Sequence, residues 1–154
     1  MAKNTITSED TVTPADTSDT IPAPQVWPVV RASDAHGLIR FLVEAFGFEE
    51  TAVYGTAERV EHAELCWPEG GGIMLGSVKE AEEDGDHCPL RPGTFGCYVV
   101  TAHPDALCAR ARAAGAEITE EPNDTDYGSR GFGARDPEGN SWSFGTYRGG
   151  PRKV

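Results

Sequence analysis

The chain has 154 residues, with 13 Lys and Arg against 25 Asp and Glu, a formal net charge of −12. That length suffices for one domain with a proper core, and the sign excludes a phosphate-backbone partner, since nucleic-acid binders concentrate Lys and Arg. No apolar run could span a bilayer and the first residues lack the apolar segment of a secretion signal, so a cytoplasmic protein without membrane or nucleic-acid partners is expected.

Residues 1–24 are rich in Thr, Ser, Asp and Pro and nearly free of bulky apolar side chains. Burial there cannot offset the cost of ordering, so a disordered tail is expected. Val26 to Val30 reads as a short strand, with Pro28 at a position that donates no hydrogen bond. Ser33 or Asp34 then caps a helix. Its apolar positions Leu38, Phe41, Leu42 and Ala45 keep helical spacing, and Gly47 ends it. Three strands are predicted next, over 49–54, 60–67 and 73–78, the last two joined by a hairpin turn at 68–72.

An acidic linker follows over 79–93, and the plan then repeats. A strand is predicted at 95–100, and Pro104 suits the first turn of a helix. Leu107, Ala111 and Ala114 form its inner stripe, and Gly115 stops it. Strands at 117–119, 130–135 and 141–147 complete the second copy, the last two joined by Asp136-Pro137-Glu138-Gly139-Asn140. Pro68-Glu69-Gly70 and Pro137-Glu138-Gly139 are the same turn written twice, 69 positions apart, and Gly47 is answered by Gly115. A fixed period means one supersecondary unit used twice. The order is βαβββ repeated, giving an α+β domain over 25–148 built from repeats 25–78 and 94–148, with a short tail at 149–154. Two such units packed together form a curved mixed sheet around a cleft. The tail and the linker each carry −3, leaving −6 on the folded body. Such acidity suits a cationic small molecule, and equally serves solubility alone.

Cys66, Cys88, Cys97 and Cys108 show no C-x-x-C spacing, so reduced, structural thiols are expected. His62 and Glu64 alternate on one strand and share a face. They could bind a ligand, relay a proton, contribute to a metal site, or simply hydrogen-bond each other. His36, His87 and His103 receive no role.

The Ala32-Ser33-Asp34 cap, Phe46-Gly47-Phe48, His62-Ala63-Glu64-Leu65 and Arg135-Asp136-Pro137-Glu138-Gly139-Asn140 resemble the vicinal oxygen chelate superfamily. That group includes glyoxalase I, extradiol dioxygenases, fosfomycin resistance enzymes and bleomycin resistance proteins. The resemblance covers roughly 26–147. It implies that metal-using members would place ligands at Trp27, about Gly96, about Met74 and Ser143. Indole and glycine offer no donor, and thioether and neutral hydroxyl are poor ones for a hard or borderline dication. No metal and no other cofactor is therefore expected.

Aromatic residues take the place of that centre. Trp27, Tyr98, Tyr127, Phe132, Trp142 and Phe144 lie on or beside cleft-forming strands. By alternation Trp27 and Ser143 share the concave surface, while Trp142 and Phe144 point toward the helices. Tyr127-Gly128-Ser129-Arg130 resembles a rim segment of bleomycin-resistance-like members. The Arg130 guanidinium would stack on a ligand there, or form a salt bridge to Asp126 or Asp136. The expected site comprises Trp27, His62, Glu64, Met74, Tyr98, Tyr127, Arg130, Phe132 and Ser143. Its occupant would be an aromatic, cationic small molecule held without chemistry, in a homodimer as the resemblance implies. The alternatives are a metal-dependent lyase, isomerase or dioxygenase using His62 and Glu64 with a partner's ligand, or a cofactor-free enzyme using His62 or Tyr127.

Overall fold

Pro28 has no N–H to give, and the first strand begins just past it. In the computed structural model, which describes residues 23–79 and 90–153, β1 runs Val29–Ala32, two to three residues later than the sequence suggests. The Pro28 carbonyl still accepts from Met74 N at 2.9 Å. Trp27 thus precedes the strand. The 1–22 part of the tail, the core of the acidic linker (80–89), His87 and Cys88 lie outside the described residues.

Asp34 caps α1 (Ala35–Phe41), its Oδ1 accepting from Gly37 N at 2.9 Å. The helix widens into a π-helical turn over Leu42–Phe46 and ends at Gly47, whose φ of 85° favours glycine. Strands β2 (Glu49–Gly55), β3 (Val60–Cys66) and β4 (Gly72–Ser77) follow. The second unit comprises β5 (Gly96–Val100), α2 (Pro104–Ala113), β6 (Glu117–Asp124), β7 (Arg130–Arg135) and β8 (Ser141–Gly145). β6 is longer than predicted because it bulges twice against β7. On α2 the buried stripe is Leu107, Cys108 and Ala111. Ala114, predicted to face inward, is exposed as the C-cap.

Each unit forms its own four-stranded sheet, in order β1-β4-β3-β2 and β5-β8-β7-β6. In both, the first strand lies parallel to the fourth and the rest are antiparallel. The repeat holds to the residue: Val29 pairs with Met74, and Tyr98 pairs with Ser143. The four-stranded α+β architecture expected from the sequence is present twice.

One apolar core joins the units. Phe46 from the π-helical turn of the first unit meets Phe144 of the second at 4.7 Å between ring centroids, and Trp142 at 5.5 Å. Burying each such side chain contributes about 1.5–3 kcal/mol, and each tilted or edge-on ring pair roughly 0.5–1.5 more. Arg110 of α2 adds a polar clasp, donating to the Glu44 and Val43 carbonyls at 2.9 and 3.0 Å. Those carbonyls belong to the last turn of the first helix, where cationic donors are favoured.

Candidate functional site

Alternation decides which side chains are free to meet a ligand. Ala63, Leu65, Ile73 and Leu75 turn into the core, which leaves His62, Glu64 and Met74 on the opposite face of the first sheet. Glu64 sits beside Met74 across β3 and β4, and Met74 beside Val29 on β1. His62 Nε2 lies 2.9 Å from Glu64 Oε1, with both side chains a third or more exposed. Tyr54, opposite His62 across β2 and β3, stacks on its imidazole at 6.2 Å and 22°. Trp27 is half-buried and reaches the same face from outside the strand. Its ring covers Gly72, where an added Cβ would come within 2.6 Å of the indole. Arg31 covers Gly76 in the same way, its Nη1 2.6 Å from such a Cβ. The first face therefore offers an indole, a phenol, an imidazole and both signs of charge.

The second sheet gathers the remaining residues around a cavity of about 210 Å³ lined by Tyr98, Tyr127 and Ser143, with Glu120 and Asn123 at its side. Gly131 and Gly145 lie opposite each other across β7 and β8 and floor it. The Tyr98 hydroxyl donates to the Tyr147 carbonyl and accepts from the Tyr147 N–H, both at 3.0 Å. Only glycine at 145 allows this, because a Cβ there would stand 2.7 Å from that hydroxyl. Tyr127 in turn meets Tyr147 edge-on at 5.8 Å and 76°. Three phenols are thus linked around a flat backbone floor.

Two expected site residues are placed otherwise. Phe132 touches the cavity from beneath, but its ring is core, stacked on Phe144 at 4.9 Å and 14°. Its position on β7 alternates with the glycines, so it faces inward with Trp142 and Phe144. Arg130 is committed elsewhere: its Nε and Nη2 donate to Asp105 at 2.7 Å each, and Nη1 lies 3.3 Å from Asp124. The sequence pointed to Asp126 or Asp136. The partner is Asp105 because α2 begins beside the start of β7. These hydrogen bonds push the guanidinium further above its ordinary value and hold the Asp105 carboxyl below its own. Arg130 ties helix to sheet.

The positions where metal-using relatives would hold ligands, Trp27, Gly96, Met74 and Ser143, supply an indole, no side chain, a thioether and a hydroxyl. That donor set does not fit a divalent ion that demands imidazole or carboxylate. Among the described residues, no three His, Cys, Asp or Glu side chains converge as a metal site.

Tyr54, Tyr147, Arg31 and Glu120 were missed. Pairing opposite His62 could have flagged Tyr54. The other three depend on how strand ends and side chains lie across neighbouring strands, which no local pattern encodes.

The match to a family model agrees with this geometry. Residues 25–144 match the Glyoxalase/Bleomycin resistance protein/Dioxygenase superfamily. Among solved structures, TioX from Micromonospora sp. ML1 is 26% identical, with a TM-score of 0.65, covering 78% of this chain and 97% of that one. TnmS3, an antibiotic binding protein from Streptomyces sp. CB03234, is 25% identical with a TM-score of 0.60, over 81% and 95% of the two chains. A glyoxalase I mutant from Zea mays shares the fold at 18% identity and a TM-score of 0.62, over 80% of this chain and 45% of that one. No curated protein sequence matches. The paired βαβββ units, with their shared core and match over 25–144, make this chain a member of the glyoxalase/bleomycin resistance/dioxygenase superfamily.

Proposed function

We propose that this protein captures a flat aromatic compound, with a preference for a cationic one, by stacking and burial and without a metal. The observation that carries the reading is the glycine-floored cavity lined by Tyr98 and Tyr127, with Tyr147 packed edge-on against Tyr127. Glycine leaves room for a ring to lie against the backbone, and the phenols offer π-faces with polar tips. Glu64 on the first sheet and Glu120 on the second favour positive charge. Likeness to an antibiotic binding protein supports small-molecule binding. Burial of a flat ring system at roughly 25 cal/mol per Å² supplies several kcal/mol, enough for a micromolar complex.

The His62, Glu64, Met74 and Trp27 set and the Tyr98, Tyr127 and Ser143 set are gathered on different sheets, both facing away from the shared core. A homodimer in which the first sheet of one copy meets the second sheet of its partner would complete two equal sites. Capture of this kind in the cytoplasm would amount to resistance by sequestration.

Tryptophan fluorescence titration with bleomycin and with cationic polycyclic dyes tests the reading. Saturable quenching at micromolar ligand, weakened in Trp27→Ala and in Tyr98→Ala, is expected. A flat response to the whole panel would refute it.

A further inference from the structure

The repeat allows one unit to be read against the other. Trp142 of the second unit is buried, packed on Phe95 at 5.5 Å and on Phe48 at 5.6 Å. Sixty-nine positions earlier the matching residues are Ile73 and Val26. Ile73 is equally buried but far smaller than an indole, and Val26, in place of Phe95, is 81% exposed. The missing bulk leaves a cavity of about 410 Å³, lined by Val26, Phe48, Trp67, Ile73 and Val99. Glu69 and Arg148, also lining it, pair at 3.6 Å and are open to solvent.

This cavity lies between the two units and shares one wall, Tyr98, with the cavity of the second sheet. Ile73 and Val99 turn toward the shared core, and Phe48 packs at 5.1 Å on Trp67, whose indole N–H donates to the Val100 carbonyl at 2.9 Å. Its inner wall is thus formed by apolar side chains from both units, with the Gly70-Gly71-Gly72 backbone beside them, and its size falls in the range of small-molecule sites.

We propose that this cavity is a second binding site, for a single indole- or naphthalene-sized aromatic molecule. The occupant's shape follows from the other unit, where an equivalent backbone frame surrounds an indole and a phenyl ring. A polar substituent on the ligand would face Glu69 and Arg148. Tyr98 stands between the two sites, but this one uses neither Tyr127 nor Ser143.

Titration of the full-length, ¹⁵N-labelled protein with indole, followed by NMR, tests this. Saturable shifts are expected at the Gly70, Gly71 and Val99 amides and at the Trp67 indole N–H. Ile73→Trp, which restores the bulk found in the other unit, should abolish them; Cys97→Phe, on the cavity wall, serves if that variant does not fold. Affinity for the dyes used on the open faces should be unchanged in either variant. Shifts confined to Tyr127, Ser143 and Tyr147, no saturation, or contacts to the cavity from residues 1–22 or a second copy would each overturn the proposal.

Discussion

Asp136 is buried, and four donors converge on its two carboxylate oxygens. Oδ1 accepts from Glu138 N at 2.9 Å and Asn140 N at 3.0 Å, and Oδ2 from Asn140 Nδ2 and Trp142 Nε1, both at 2.9 Å. Asn140 passes the network on through Phe95 N at 3.0 Å. Removing the carboxylate would strand these donors in a place without water, where each orphan costs roughly 1–3 kcal/mol. Asp136→Ala should therefore lose about 3 kcal/mol or more in denaturant unfolding, while a change confined to ligand affinity would contradict this. Asp136→Asn should also lose stability, because its amide would point a donor at the indole N–H or the Asn140 amide. Gly145 has a different role. Gly145→Ala should push the Tyr98 hydroxyl off Tyr147, leaving the fold intact and lowering aromatic-ligand affinity about tenfold, because the phenol loses the two neutral hydrogen bonds that hold it in place; calorimetric titration measures it.

At the scale of elements, what matters is how helices are pinned to sheets. Glu138 reaches across from the second unit's turn and accepts from the Asp34 N–H at 2.6 Å, at the start of α1. Arg110 holds the far end of the same helix through its last carbonyls. Arg130 fastens the start of α2 to β7 through Asp105. The Asp105 carboxyl is held below its ordinary 3.8, mainly by the Arg130 hydrogen bonds, with burial opposing. Folding thus favours the ionised form. The stability it adds is fully present above pH 3.8 and disappears as pH falls through the lower folded value. Asp105→Asn should lower stability slightly at neutral pH and converge on the unaltered protein below about pH 4, and added salt should shrink the neutral-pH difference because the pair is exposed. Unfolding curves between pH 2 and 7 at two salt concentrations read this directly.

For the whole molecule, the question is how the two open faces come together. Each sheet spends one face on the common core, so the outward faces of a single copy point away from it. If pairing completes the site, two crippled variants should rescue each other. Trp27→Ala and Tyr98→Ala, each weak alone, should regain ligand binding when mixed and refolded together: one site of each mixed dimer is intact, so random pairing restores about a quarter of normal capacity. Titration of the mixture against the separate variants measures it, with sedimentation confirming the pair; no recovery in a mixed dimer would place the whole site within one copy.

The repeated βαβββ plan, the turn glycines, the Asp34 cap and the inward aim of Trp142 and Phe144 are legible in the order of residues alone. These follow from period, punctuation and alternation, which are properties of neighbouring residues. The same order places His62 and Glu64 together, because a strand repeats every second residue. It took the folded chain to show that Arg130 belongs to Asp105, that Phe132 is core, that Trp27 lies before β1 over Gly72, and that a hollow stands beside Ile73. Each of those depends on which strangers in sequence become neighbours in space. A guanidinium takes the carboxylate that packing brings nearest, and a cavity is a shortfall of volume that no single side chain records.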